Sequence, residues 1–547
     1  MKFYLLYTLL ITAVALAESD LSEWLRDQKI ENGTTLTLPE GIHHARPDDF
    51  PFRFLHISNN DDGVKHIVFD LSGLENVTID GNGAELLMHG HIIPFFMENA
   101  KNITIKNLTI DWAHPFYAQG EVVDAGEEWF NVHFEKEYNV KIRNGELVAI
   151  NPDIKYPPHF HNLNYIDPEK GEQAYRSTDE YNMLRAGNYE VTQKTDGVFR
   201  IKSSRMRNTP QTGHIAVFQY EGRTSPAIAV HNSSNIRIEN VTQYHAAAIA
   251  NIFEGSEDIY IDRMTMKRRG NRWFSALNDA THYVDCHGDI FITNSHFEFQ
   301  NDDAVNIHGI YRTVDGTIED NGLRLRLNHY QQLGVDTIHP RDIVALCNRE
   351  TLEIIAKLTV KEVFPHDHQI GGYTFEEPLP ALDWNNVVAM YYQEDVNVNI
   401  SGNTFKNNRA RGILTKTFGK IRIHNNYFHT PGPAVISGYG TRGKWFESGP
   451  FNDLEISHNV LDQCMFGEWG SALFSIGTGQ GIPTSKNARI HNNKIIQIQK
   501  PLVIARNVEN FEFYGNEIVP GKDYSHWESA SDNIVISRGV TTGRIEE

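Results

Sequence analysis

NIRIENVT, beginning at Asn235, is followed by DIYIDRMTM at Asp258 and DIFITNSHF at Asp289. Each alternates apolar and polar residues and then meets a turn residue, the pattern of a short strand with one buried face. The same figure stands earlier as NVTIDGNG at Asn76 and NITIKNLTI at Asn102, and later as NVNISGNTF at Asn397, KIRIHNNYF at Lys420, DLEISHNVL at Asp453, ARIHNNKII at Ala488 and NFEFYGNEI at Asn510. Taking the apolar residue before each turn as a marker, Ile238 to Ile261, Ile400 to Ile423 and Ile490 to Phe513 are each 23 residues apart, and Ile79 to Ile105 is 26. A fixed period of this size signals a solenoid. Asn-rich turns and period-2 alternation predict an all-β fold, a right-handed parallel β-helix, and exclude helical repeats; a leucine-rich repeat would need its Leu framework.

Two intervals break the rhythm: Ile105 to Ile238 is 133 residues and Ile292 to Ile400 is 108. Neither is short enough to be a loop. Both hold alternating segments of their own, EWFNVHFEKEY at Glu128 and GVFRIKSS at Gly197 in the first, LRLRLNHY at Leu323 and EIIAKLTVKEVF at Glu353 in the second. Two small barrel-like β-domains inserted into the solenoid are therefore predicted. The chain divides into β-helix over 18–113, 223–310 and 395–547, with insertions at 114–222 and 311–394. Elaborated coils without independent cores remain the alternative at this point.

In stacked coils, residues one period apart lie about 4.8 Å from each other, the spacing of neighbouring strands. Asp279 stands 23 and 24 residues before Asp302 and Asp303, so three carboxylates should converge. The next coil aligns without gaps, ITNSHFEFQNDDAVNIHG from Ile292 against ISGNTFKNNRARGILTKT from Ile400, which sets Phe297 on Phe405, Asn301 on Arg409, Asp303 on Arg411 and His308 on Lys416. A cationic row is expected one rung from the acidic one. Because the second insertion leaves after His308 and returns before this rung, it is expected to lean over the site.

Glycoside cleavage needs a proton donor at the leaving oxygen and a carboxylate that activates water or attacks the sugar. Close like charges raise one pKa and keep a donor protonated near neutrality. Neighbouring strand residues point to opposite faces, so Asp302 and Asp303 share a site only at a turn or bulge, which Asn301 suits. A plain solvated Asn-Asp-Asp turn is the competing reading. A calcium site is a third, disfavoured because Arg and Lys on the next rung would repel the ion. His282 and His308 are candidate ligands for sugar hydroxyls. Trp273 and Trp445, in the coil-lengthening segments GNRWFSALND and GTRGKWFESGP, are candidate sugar platforms, and Glu447 a hydroxyl acceptor; packing roles compete for each.

The whole chain of 547 residues is 40% hydrophobic, enough to bury a large core. A net charge of -20 argues against a nucleic-acid partner. MKFYLLYTLLITAVALA at 1–17 has a basic start, an apolar run and Ala15-Leu16-Ala17 before Glu18, the layout of a cleaved export signal. The run is short of the roughly 20 residues a membrane span requires, and no later stretch replaces it. The protein is thus expected to be periplasmic or secreted. Three cysteines, Cys286, Cys347 and Cys464, exclude a disulfide framework. Asn-x-Ser/Thr sequons occur at Asn76, Asn102, Asn107 and Asn240, where Asn is also what the coil's turns require. Nothing in the sequence forbids an oligomer.

NLTIDWAHPFYAQGEV from Asn107, LNDATHYVDCHGDI from Leu277, QNDDAVNIHG from Gln300 and NNRARGILTKT from Asn407, with the two insertions, resemble glycoside hydrolase family 110, exported bacterial α-1,3-galactosidases. The resemblance covers nearly all of the mature chain. It implies an inverting exo-galactosidase with no cofactor and no metal, acting on glycans that end in α-1,3-linked galactose, of the blood-group B type or linear. A more distant likeness to polygalacturonases suggests Asp302 as acid with Asp279 and Asp303 holding the water. Here Asn-Asp-Asp replaces that family's Gly-Asp-Asp, and its Gly-His-Gly motif is not evident. Arg409, Arg411 and Lys416 are expected to bind galactose hydroxyls or tune the carboxylates, because charged donors make the stronger hydrogen bonds in a partly buried site. A non-catalytic, adhesive glycan-binding β-helix and a hydrolase of acidic polysaccharide remain the alternatives. Amino-terminal sequencing of exported protein is expected to begin at Glu18; a chain retaining Met1 in the membrane fraction would contradict the leader.

Overall fold

The markers stack as the period requires. In the computed structural model, which describes residues 17–154, 159–181, 183–319, 321–499, 501–525 and 533–546, Ile79 pairs with Ile105, Ile105 with Ile238, Ile238 with Ile261, Ile261 with Ile292, Ile292 with Ile400 and Ile400 with Ile423, all in parallel register. The series continues through Ile456 and Ile490 to Phe513. The fold is a parallel β-helix. The predicted leader falls outside the described residues, apart from Ala17.

Each rung contributes to more than one stack. Beside the marker strands runs a second row of short strands, His296–Glu298, Thr404–Lys406 and Tyr427–His429, whose Phe297, Phe405 and Phe428 rings lie on each other at centroid distances of 5.7 and 5.1 Å. A further parallel stack comprises Ile228–His231, Asn251–Glu254, Thr281–Val284, the start of Val305–Ile318, and Ile413–Lys416. Its register sets the functional site. The marker Ile side chains are buried, each worth about 1.5–3 kcal/mol relative to exposure.

The turns explain the asparagines. Asn403, Asn426, Asn459, Asn493 and Asn516 form a ladder in which each Oδ1 accepts from the backbone N–H and side-chain amide of the Asn before it, at 2.9–3.1 Å. Asn satisfies both roles because its amide carries donor and acceptor together. The sequon residues Asn76, Asn102, Asn107 and Asn240 have φ between 53° and 59°, a left-handed conformation that Asn tolerates. The side chain of Asn102 donates to Asn76 and that of Asn240 to Asn107.

The first interruption folds as a seven-stranded antiparallel sheet within 117–220, from Tyr117–Gly126 to Ile215–Tyr220, with a separate hairpin of Val140–Arg143 and Glu146–Ala149. The second closes into a six-stranded antiparallel barrel. Its ring runs from Val305–Ile318 through Gly322–Arg326, Ile370–Phe375, Ile354–Pro365, Ile343–Asn348 and Val387–Tyr391 back to the first strand. Leu323, Val344, Leu358 and Phe375 give it a core of its own. One continuous strand, Val305–Ile318, is helix rung at its start and barrel stave at its end. Where it crosses, buried Arg312 donates to Asp285 at 3.1 Å, and the Thr337 hydroxyl donates to the same carboxylate at 2.7 Å.

Asn426→Ala removes an acceptor for Asn403 and a donor to Asn459. The loss is expected to be about 1–3 kcal/mol for each buried group left unpaired, read as a lower midpoint in urea denaturation.

Candidate active site

The site is built by register. Thr281 pairs with Val305 and Val305 with Ile413, so the residues two positions earlier, Asp279, Asp303 and Arg411, follow one another on successive rungs. The Asp303 N–H donates to Asp279 Oδ1 at 3.3 Å, and the Arg411 N–H donates to Asp303 Oδ1 at 3.1 Å. Asn301 and Asp302 form a bend between His296–Glu298 and Val305–Ile318. That bend frees Asp302 from strand alternation, and one oxygen from each of Asp279, Asp302 and Asp303 lies within 4.8 Å of the others. His308 pairs with Lys416, as the gapless alignment requires.

The carboxylates differ in their partners. Arg409 Nη2 lies 2.9 Å from Asp302 Oδ1, and Arg411 Nη2 lies 2.5 Å from Asp303 Oδ2. Arg223 Nη2 stands 3.9 Å from Asp302 Oδ2, too far for a hydrogen bond. Both oxygens of Asp279 are engaged, Oδ1 by Asp303 and Oδ2 by His282 Nδ1 at 2.6 Å. Of the three side chains Asp302 is the most open, at 13% against 5% for Asp279 and 0% for Asp303. Its Oδ1 is buried against Arg409, while Oδ2, with Arg223 no nearer than 3.9 Å, is the oxygen left open to the cavity.

Burial, followed by the charge of Asp302, pushes Asp279 up to about 7. Burial also pushes Asp303 up to about 7, outweighing Arg411. For Asp302 burial acts in the same direction, but Arg409, Arg411 and Arg223 together overcome it and hold the carboxyl below the usual range. Under the protein's own charges Asp302 is therefore the anion, and the protons retained near neutrality reside with Asp279 and Asp303. The arginines supply the positive charge that the calcium reading would have assigned to an ion.

A cavity of about 780 Å³ opens over this cluster. Asp279, Asp302, His282, Arg409, Arg411, Lys416, Trp445 and Glu447 line it. Lys416 Nζ is hydrogen-bonded to Glu447 Oε2. Asp303 lies behind the cavity wall. His308 is also behind it, 1% exposed, with Nε2 on His282 Nε2 at 2.9 Å, so it cannot serve as the sugar ligand the sequence suggested. Trp273 is likewise displaced from the site: it packs against Phe299, ring centroids 5.6 Å apart, beneath Arg268 and beside the first insertion, where Gln119 accepts its backbone N–H.

The covering domain is also different from the one expected. Thr178, Asp179, Tyr181 and Arg207 of the first insertion form one wall. Its strands clamp the Asn301–Asp302 bend, with Asn164 donating to Asn301 Oδ1 at 3.1 Å and Asn301 donating to Gln219 at 2.5 Å. The second insertion contributes no lining residue among those described. It acts from behind, where His329 stacks on Trp445 at 3.7 Å and Gln332 donates to the Trp445 carbonyl. Sequence reasoning missed Arg223, Tyr181 and Trp469. They lie where the repeat is interrupted and have no rung partner to betray them, though Arg223 stands where the chain returns to the coil. Trp469 lines the same cavity as Trp445, with Arg411 5.3 Å from its ring.

A stacked-coil scaffold with three buried carboxyls of unlike protonation beneath a tryptophan-walled cavity has the makings of a glycoside hydrolase. Comparison with known proteins narrows this. Residues 118–216 match the model of GLAA-B β-barrel domain I and residues 322–382 that of GLAA-B β-barrel domain II. An α-1,3-galactosidase A of Shewanella woodyi is 31% identical over 515 residues, covering 92% of this chain and 84% of its own. An α-1,3-galactosidase B of Parabacteroides distasonis is 28% identical over 93% of this chain and 86% of its own. Among solved structures, a family 28 exopolygalacturonase of Yersinia enterocolitica is similar over 96% of this chain and 74% of that one, at 9% identity and a TM-score of 0.40. The chain belongs to glycoside hydrolase family 110, the family of the α-1,3-galactosidases, and is a glycoside hydrolase.

Trp469→Ala is expected to raise KM for a glycoside substrate while leaving the denaturation midpoint nearly unchanged. Trp273→Ala should do the reverse, costing about 3–5 kcal/mol of stability as large-to-small core changes do, with KM preserved in the folded fraction.

Proposed function

We propose that the enzyme is an exported, exo-acting hydrolase of terminal α-1,3-linked galactose on branched B-type or linear glycans, working with inversion. The observation that carries this reading is the carboxyl trio beneath the cavity, in a chain whose relatives are named for that linkage. Asp302 is the proposed proton donor, because its Oδ2 is free to face a glycosidic oxygen. Asp279, at the cavity wall, is the group that accepts from the water, and Asp303, enclosed behind it, acts through its contact with Asp279 Oδ1. The protein's own charges seat the protons the other way round. The working state then requires a proton to pass within the trio, over oxygens less than 4.8 Å apart, when sugar hydroxyls compete for Arg409 and Arg411.

One observation favours a second reading. Inverting enzymes commonly hold their carboxyls about 6.5–9.5 Å apart and retaining ones about 5–5.5 Å, and here one oxygen from each carboxyl lies within 4.8 Å of the others, nearer the retaining spacing. The arrangement supports inversion nonetheless, since Asp302 as donor and Asp279 as acceptor are separate groups at the cavity, with Asp303 behind them to take up charge. NMR of the first sugar released from Galα1-3Gal decides the matter: β-galactose is expected, and α-galactose appearing first would establish retention. Hydrolysis of acidic polysaccharide is disfavoured by the relatives, which are named for an α-1,3-galactose linkage.

Asp279→Asn, Asp302→Asn and Asp303→Asn should each lower kcat by roughly 10²–10⁴-fold with the fold intact by circular dichroism. The pH profile follows from the shifts. Activity needs at least one proton on the trio, which is lost as pH rises through about 7. It also needs one anion, which disappears only when Asp302 is protonated, below the usual carboxylate range. A plateau in mild acid with a falling limb near 7 is expected; a rate still rising above a pH of about 8, one unit past that limb, would refute it.

A further inference from the structure

Behind the trio lies a chain of hydrogen bonds whose direction is fixed from its far end. His308 Nδ1 is 2.9 Å from the carbonyl oxygen of Gly309. A carbonyl only accepts, so Nδ1 carries the hydrogen. In the neutral ring His308 Nε2 is then an acceptor, and its partner at 2.9 Å, His282 Nε2, must donate. That leaves His282 Nδ1 as an acceptor facing Asp279 Oδ2 at 2.6 Å, and the hydrogen of that bond must come from the carboxyl. Both imidazoles are buried, at 1% exposure each, and meet edge to face at 4.9 Å.

We propose that His308 is a positioning residue which, through the tautomer it imposes on His282, seats one proton in the Asp279–His282 bond and leaves Asp279 Oδ1 as the oxygen that accepts from the attacking water. This inference rests on the hydrolytic reading above. As the water attacks, one of its O–H bonds breaks and an O–H bond forms at Asp279 Oδ1. The Asp279 Oδ2–H bond breaks in turn, and an N–H bond forms at His282 Nδ1. His282 becomes the imidazolium and Asp279 remains neutral. After the product leaves, the proton returns through Asp279 to Asp302, which gave its own to the leaving group, and the cycle closes without a proton drawn from bulk water.

Burial and the charges around this path hold the rings neutral at rest, and Asp302, the carboxylate that acts on His282, offsets the transient imidazolium once its proton has gone to the leaving group. Asp279 and Asp302 lie on the cavity side, with Asp303 enclosed behind the wall. Arg223, Arg411 and Lys416 are the cations whose fields reach His282, and burial followed by Arg223 pushes its pKa down to about 3. Burial and His282 hold His308 well below the ordinary histidine value. Glu447 Oε1, 3.8 Å from His308 Nε2, is a further carboxylate beside that ring and also lines the cavity. Both rings thus rest neutral, the condition the tautomer assignment needs.

Neutron diffraction from deuterated wild-type crystals tests the proposal without turnover, so its outcome is independent of which glycoside is the substrate. Deuterium on His308 Nδ1 and His282 Nε2, none on His308 Nε2, and one deuteron between Asp279 Oδ2 and His282 Nδ1 are expected. A His282 Nε2 without deuterium would overturn it. In kinetics, His308→Ala frees the His282 tautomer and lets Nδ1–H stabilise the Asp279 anion. The basic limb of kcat should then move to lower pH by roughly one unit or more, with KM little changed. His308→Gln, whose side-chain oxygen can accept from His282 Nε2, should restore most of the limb. A His308→Ala enzyme with the wild-type pH profile would refute the relay.

Discussion

The backbone hydrogen bonds that join Thr281–Val284 to Val305–His308, and that strand to Ile413–Lys416, place the acidic and cationic rows of the cavity floor. Rungs about 4.8 Å apart put Asp303 over Asp279 and Arg411 over Asp303, at a distance where like charges cannot all be ionised in a buried site. The scaffold does not need to position these groups separately. Once the Ile stack and the Asn ladder fix the register, the carboxyls have no other place to go.

Proximity alone would give three equivalent acids. Their inequality comes from how the guanidiniums are shared. Arg409 and Arg223 approach Asp302, while Asp279 has a neutral imidazole and a backbone N–H as partners. Asp303, fully enclosed, keeps its proton despite Arg411 because burial costs its anion more than one guanidinium returns. The result is a cluster that holds protons on Asp279 and Asp303 and presents the Asp302 anion to the cavity.

The inserted domains divide the remaining work. The first grips the Asn301 bend and closes the cavity with Asp179 and Tyr181. The second is an extension of a floor strand, and the Asp285–Arg312 pair ties it to the rungs. From there it props Trp445 by way of His329 and Gln332. A long insertion leaving the chain next to the Asp302–Asp303 rung thus ends up as a buttress, since Val305–Ile318 runs on without a break and carries the barrel past the cavity rather than over it.

The β-helix is written in the chain itself, because a stacked coil is a one-dimensional object in which a period of 23 residues and a turn-forming Asn state the contacts directly. The same logic made the trio and the cationic row legible: Asp303 against Arg411 and His308 against Lys416 are differences of position along a known register. Other parts of the site lie off that register, and only folding in three dimensions settled them. Arg223, Tyr181 and Trp469 reach the cavity from segments between rungs, and Trp273, with the composition of a sugar platform, was drawn instead into packing against Phe299. The ionisation of Asp302 depends on Arg223 as well as on its neighbours one coil away. Such contacts follow from how an inserted sheet docks on the solenoid, and docking is set by side-chain shape and burial, which no spacing along the chain encodes.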